Sequence, residues 1–339
     1  MPHFNLVLLG FGNVGQALAG LLLKKRQQIA EQYGIRFQVT GIATSRRGVL
    51  TNPHGIDLQS ALDQVAAGQA LSLSTMPAVS EYLRAAQAQV VFETIPVNYE
   101  SGQPAVDYLR AALELGMHAI SANKGPVVHA YELLSTLAAT KGVKYYFESA
   151  VMDGAPVFSL VREALPGVVI HSFHGVLNST TNLILDRMEM GEDFEDAVSY
   201  AQAVGLAETD PMGDLDGWDA AVKVAALCTV VLGVPTKPQR VSRTGMLGIT
   251  RQAVLQAQAE GKRWKLVCSA RRQGEGVQAQ VAPEMVGPES PLYNVGGASS
   301  MITFETDILP GLSITESAPS PETTAYGLLA DFLNAVRQK

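Results

Sequence analysis

Short apolar runs closed by glycine, serine or proline alternate with longer amphipathic stretches through the first third of the chain. FNLVLLG predicts a first strand, followed by a helix from about Gly15 to Tyr33, and FQVTGIATS, from Phe37 to Ser45, predicts a second strand. AQVVFETIP (Ala88 to Pro96) and HAISANKGP (His118 to Pro126) predict a third and a fourth, with helices over GQPAVDYLRAALELG and HAYELLSTLAATKG behind them. Apolar strands that alternate with helices of this length fit a parallel sheet covered on both faces.

The rhythm changes after VKYYFESAVMDGAP. Longer strand-like runs appear, VVIHSFHGVLN, RWKLVCSARR, GVQAQVAPEMV and SSMITFETDIL, interleaved with helices near Asp193 to Ala203 and Gly217 to Leu232. RRQGEGVQ reads as a hairpin tip. The pattern is α/β throughout. It predicts a doubly wound parallel sheet over residues 1–136 and a second α/β domain with an open mixed sheet over 137–310. A C-terminal helix, placed at 311–339, returns to the first domain.

Composition narrows the function classes. With 339 residues, 47% of them apolar, the chain has material for two cores. A net charge of -7 leaves no large basic surface, so neither nucleic acid nor an anionic membrane is expected as a partner. The two cysteines, Cys228 and Cys268, lie in apolar surroundings without metal or redox spacing, which suits buried thiols in a reducing cytoplasm. The N-terminus lacks the basic region of a targeting signal, and the longest apolar run, VAALCTVVLGV, falls short of a membrane span.

GFGNVG sets Gly10, Gly12 and Gly15 in a G-x-G-x-x-G pattern directly after a strand and at the opening of a helix. That context gives the pattern its mechanics. Gly10 permits the turn, Gly12 admits a pyrophosphate to the backbone, and Gly15 allows the helix to pack closely. The helix N-terminus at Phe11, Asn13 and Val14 then faces the phosphates. The first domain is therefore of the Rossmann type. An acid at the end of the second strand would hold the ribose hydroxyls of NAD; Ser45, Arg46 and Arg47 stand there instead, and favour the 2'-phosphate of NADP. NAD with solvated arginines is the alternative.

GLAETDPMGDLDGWDAAVK, from Gly205 to Lys223, concentrates five carboxylates ahead of one lysine. Asp219 and Lys223 are four apart and share a helix face. A structural ion pair, a metal loop and a pocket for a zwitterionic substrate all compete here, although the spacing matches neither an EF-hand nor a histidine-bearing metal site.

The span Ala201-x3-Gly205-Leu206-Ala207-x2-Asp210-Pro211-x2-Asp214-Leu215-x-Gly217-x-Asp219-x3-Lys223 resembles the signature of homoserine dehydrogenase at every defined position, with SANKGP around Lys124 and GVLNSTTNLIL in support. The resemblance covers about residues 5 to 305. It implies the interconversion of L-homoserine and L-aspartate 4-semialdehyde with NAD or NADP, in threonine, methionine and isoleucine biosynthesis. Carried over residue by residue, Lys223 is the proton donor and Asp219 its orienting partner. Glu208 binds the substrate ammonium, Asp214 supports that network, and Gly205 offers backbone groups. Lys124 lies near both nicotinamide and reacting oxygen. Thr94 is placed near the nicotinamide, with a strand-ending cap as the plainer alternative. ESAVMDGAP resembles the family's sodium-binding turn, which maps to Glu148, Val151, Asp153 and Ala155; a simple domain hinge is the alternative. A homodimer is implied as well. An ordinary lysine, pKa ~10.4, is a reluctant donor and a poor base near neutrality, so homoserine oxidation is expected to favour alkaline conditions.

Two departures stand out. Ser179 in NSTTN replaces a glycine common in the family, and ESAPSPETTAYGLLAD, Glu316 to Asp331, replaces a glycine-rich turn that lies against the cofactor. The sequence ends at Lys339, so neither a fused aspartate kinase nor threonine feedback through a C-terminal domain is expected. A non-catalytic NADP-binding sensor and a dehydrogenase for another amino-acid semialdehyde are the competing readings.

Overall fold

In the computed structural model, which describes residues 1–337, the first apolar run forms β1 (His3–Leu9) at the centre of a six-stranded sheet. The others are β2 (Arg36–Ala43), β3 (Val49–Thr51), β4 (Val90–Glu93), β5 (His118–Ser121) and β6 (Tyr145–Tyr146). Their order is β3-β2-β1-β4-β5-β6, parallel except for β3, which turns back antiparallel to β2. The chain winds outward from β1 in one direction and then from β4 in the other. The crevice beyond the carboxyl ends of β1 and β4 is thus the topological switch point, where ligands bind in sheets of this kind.

Both faces of β1 are buried, which is why its sequence does not alternate. Leu6 and Leu8 join Leu18, Leu22 and Ile29 of the helix Asn13–Tyr33, whereas Val7 and Leu9 join Tyr82 and Leu83 on the opposite face. The helix Pro321–Val336 completes the first core. Its Phe332 meets Phe4, Phe37 and Phe92 edge-on at centroid separations of 6.0, 5.9 and 6.0 Å, a favourable aromatic geometry.

The second sheet contains β7 (Ile170–Val176), β8 (Ser242–Arg243), β9 (Arg263–Gln273), β10 (Gly276–Val286), β11 (Ser300–Thr306) and β12 (Leu312–Glu316), in the order β12-β11-β7-β9-β10-β8. It is mixed: only β8 and β10 run parallel. The hairpin predicted at RRQGEGVQ turns between Gln273 and Gly276.

Two expectations need correction. The fourth strand stops at Ser121 rather than continuing to Pro126, because the Asn123 side chain accepts from the Gly125 N–H at 2.9 Å and starts a helix, Lys124–Lys141. Residues 311–319 are not helical, since Leu312–Glu316 pairs with Ser300–Thr306 as an edge strand. The final helix starts at Pro321, and the last two residues of the predicted helix, 338 and 339, lie outside the described residues. The chain separates into a unit of Met1–Gly154 with Ser320 onward and a unit of Ala155–Pro319. The first unit runs past residue 136 because β6 still pairs with β5, and because the Ser149 hydroxyl donates to the Thr324 carbonyl at 2.7 Å. Among the described residues no helix is long and apolar enough to cross a membrane.

Candidate active site

The glycine turn of the first unit is assembled by contacts that a side chain would destroy. Gly10 has φ 104°, and a Cβ there would come within 2.7 Å of the Thr94 backbone; one at Gly15 would come within 2.5 Å of the Gly10 carbonyl oxygen. Gly12 is different. A Cβ on it meets nothing within 4 Å, so the turn presents open space at the N-terminus of the helix Asn13–Tyr33. This fits a dinucleotide pyrophosphate. Thr94 ties the two central strands together, its hydroxyl donating to the Gly10 carbonyl at 3.2 Å. Asn13 is exposed and Val14 partly so. The Phe11 side chain, in contrast, belongs to the hydrophobic core, which leaves only its backbone for a ligand.

The turn between β2 and β3 leaves Ser45 and Arg46 exposed, whereas Arg47 directs its guanidinium to the Val65 carbonyl at 3.4 Å. Lys124 opens the helix that Asn123 caps, with its ammonium 5.9 Å from the centre of the Tyr99 ring. Glu93, the last residue of β4, is fully buried. Burial raises its carboxyl to about 7, although bonds from Ser121, Ile95 and Asn123 partly counter this.

The turn mapped to a sodium site begins with buried Glu148, whose N–H donates to Asp331 Oδ2 at 2.7 Å. Val151 is buried, and Asp153, at φ 39°, accepts from the Thr323 hydroxyl at 3.2 Å. Ala155 begins the second unit. No group of three or more His, Cys, Asp or Glu side chains among the described residues is arranged to hold a metal. The segment that replaces the glycine-rich turn ends in a capping box: Ser320 and Thr323 satisfy each other's backbone N–H groups, and Pro321 occupies the first helical position.

In the second unit the signature becomes a polar cluster inside an apolar frame. The helix Trp218–Val230 is buried along most of its length, yet it carries Asp219 and Lys223. Charges in such a place persist only when paired and hydrogen-bonded. Lys223 Nζ lies 3.1 Å from Asp219 Oδ2 and donates to the Leu177 carbonyl at 2.7 Å. Just past β7, Asn178 donates to Asp214 Oδ1 at 2.7 Å and to Asp219 Oδ2 at 3.1 Å, while its own oxygen accepts from the Thr181 N–H at 2.9 Å. One amide thus holds two carboxylates and caps the helix Ser179–Glu189. Burial, followed by the nearby Asp219 charge, raises the Asp214 pKa. Glu208 and Gly205 lie on the exposed loop leading into this cluster, whose carbonyls at Glu208 and Thr209 accept from Gln202. Ser179 places its hydroxyl 3.3 Å from that of Ser300. Both cysteines are free and buried.

The chain matches two family models, "Homoserine dehydrogenase, NAD binding domain" over residues 10–148 and "Homoserine dehydrogenase" over residues 156–333. An NAD(+)-dependent homoserine dehydrogenase of Pseudomonas canavaninivorans is 33% identical, with 98% of this chain and 96% of that protein aligned. The chain belongs to the homoserine dehydrogenase family. It is an NAD(P)-dependent oxidoreductase acting on a CH–OH group. A homoserine dehydrogenase of Methanocaldococcus jannaschii is 32% identical, covering 97% of this chain and 98% of that one. Among solved structures, a putative homoserine dehydrogenase from Archaeoglobus fulgidus superposes with a TM-score of 0.88 at 29% identity, covering 99% and 100% of the two chains. A hyperthermophilic archaeal homoserine dehydrogenase in complex with NADPH gives 0.82 at 25% identity, covering 98% and 97%.

Asn178 in the second unit and Glu93 in the first each hold together a polar cluster that the sequence does not reveal. Asn178 had one available signal, as an Asn preceding a helix pattern is a ready N-cap. Replacing it with alanine is expected to destabilise the second unit by about 2 kcal/mol, combining a lost cap with carboxylates deprived of a buried donor. Denaturant unfolding measures this, and a change near zero would mean the carboxylates find other donors.

Proposed function

We propose that Lys223 exchanges the proton at the reacting oxygen as L-aspartate 4-semialdehyde and L-homoserine interconvert. Reduction adds a hydride to the aldehyde carbon and a proton to its oxygen; oxidation removes both. The nicotinamide dinucleotide supplies or accepts the hydride when bound. The carrying observation is the Lys223 ammonium, 3.1 Å from Asp219 on an otherwise apolar helix. An ammonium directed at a forming alkoxide both stabilises its charge and protonates it. Asp219 fixes the lysine, and Asn178 fixes Asp219. Glu208, exposed on its loop, binds the substrate ammonium with Asp214 behind it, and Gly205 contributes backbone groups. Lys124 is the second cation of the reaction.

NADP is the proposed cofactor, on the strength of exposed Ser45 and Arg46 and of Arg47 beside them; NAD is the alternative. The same reading carries a homodimer, a cytoplasmic location, a role in threonine, methionine and isoleucine biosynthesis, and sodium bound mainly by backbone carbonyls at Glu148, Val151, Asp153 and Ala155.

Purified protein mixed with homoserine and NADP+ or NAD+ is expected to accumulate reduced cofactor, faster as pH rises from neutral to alkaline. Cofactor binding without turnover would identify a sensor, turnover confined to another semialdehyde a different dehydrogenase. A rate flat with pH would remove Lys223 from the proton transfer.

A further inference from the structure

We propose that Glu93 is a positioning residue that distinguishes the two redox states of the cofactor, its buried carboxylate favouring the oxidised, cationic nicotinamide over the neutral reduced one. The inference rests on the reading that the nicotinamide end of the cofactor lies near Thr94.

Glu93 is the last residue of β4, in register with Leu9 at the end of β1 and with Ser121 at the end of β5. It therefore lies one residue below the crevice line that Gly10 and Thr94 form. Its carboxylate accepts from the Ser121 hydroxyl at 2.6 Å, from the Ile95 N–H at 2.8 Å and from the Asn123 amide at 3.4 Å. Ser121 also accepts from the Asn123 N–H at 3.0 Å, and Asn123 caps the helix that begins with Lys124. One carboxylate thus joins the tips of two adjacent strands to the start of the Lys124 helix. All three of these donors are neutral, so the ionised group keeps its full charge, and in a poorly screened interior that charge acts over several ångströms.

NAD(P)+ carries a positive nicotinamide ring, and NAD(P)H does not. A fixed anion stabilises the first relative to the second. Glu93 titrates at about 7 because burial raises it, so the preference is strong when it is ionised, above neutrality, and fades below. By reciprocity, binding of the oxidised cofactor lowers the Glu93 pKa and releases a proton near neutral pH. Tyr145 on β6 faces Glu93 electrostatically, but burial holds its hydroxyl well above the ordinary range, so it stays neutral here. Tyr131, from the helix that Lys124 opens, acts on Tyr145 in turn.

The test is the affinity of NADP+ and of NADPH for the full chain from about pH 5.5 to about pH 8.5, measured by fluorescence titration without substrate. The affinity ratio, oxidised over reduced, is expected to rise about tenfold across this range, the scale of one unit charge on another through a protein-like dielectric. Glu93→Gln, which keeps the shape, is expected to flatten the curve. Ser121→Ala removes a hydrogen bond that lowers the Glu93 pKa and is expected to move the midpoint to higher pH. A wild-type ratio constant with pH, or one that Glu93→Gln leaves unaltered, overturns the proposal. If Glu93→Gln does not fold, an unmoved midpoint in Ser121→Ala overturns it. If the wild type binds only NAD+ and NADH, the same test is read on that pair; failure to bind any of the four would instead overturn the reading of the glycine turn.

Discussion

Lys223→Ala is expected to lower homoserine turnover by about 10³- to 10⁴-fold, the combined range of a lost general acid and a lost charge beside the forming alkoxide. The substitution removes a side chain whose Nζ pairs with Asp219 and donates to the Leu177 carbonyl, both within the second unit. Cofactor affinity, governed by the first unit, should remain within about twofold of wild type. Truncation leaves Asp219 buried without its cation, which costs about 3 kcal/mol, so a thermal melt accompanies the kinetics. Turnover within about tenfold of the wild type in a folded variant would assign the proton transfer to another group. Loss of cofactor binding along with turnover would make the lysine structural.

Gly12→Val should separate folding from ligand binding. Gly12 has φ -78° and ψ -160°, a conformation open to any residue, and its Cβ would touch no protein atom within 4 Å. Stability is therefore expected to change by less than about 0.5 kcal/mol. Cofactor affinity is expected to fall by about 100-fold, since the added isopropyl group would fill the space through which a pyrophosphate reaches the backbone N–H groups. Gly15→Ala behaves in the opposite way, because its Cβ collides with the Gly10 carbonyl at 2.5 Å and disturbs the turn itself. Isothermal titration with NADP+ alongside a thermal melt distinguishes the two. Tight binding by a folded Gly12→Val would place the dinucleotide elsewhere.

The local chemistry of both regions was legible in the sequence because each is carried by residues close together in the chain. The glycine turn follows its strand immediately, and the Asp219–Lys223 pair is set by helical periodicity alone. Boundaries were less legible. SANKGP reads as the continuation of a strand until the Asn123 side chain is seen capping a helix. LSITE is too short and too evenly mixed to announce β12, which exists only because β11 offers an open edge. The Phe11 side chain belongs to the core although Gly12 and Asn13, next along the turn, are exposed. Arg46 and Arg47 are adjacent, yet only the structure shows that Arg47 reaches the Val65 carbonyl.

Read alone, then, the chain's order of residues determined the strand–turn–helix that receives phosphates, the lysine and its aspartate, and the two-part α/β plan, since each depends on spacings of a few positions. Tertiary structure decided which distant groups complete them. Asn178 reaches Asp214 and Asp219 across separations of 36 and 41 residues, and Glu93 becomes a buried acid only when β5 lies beside β4. Burial and long-range hydrogen bonds arise from packing, and no short window of sequence encodes what will be packed against it.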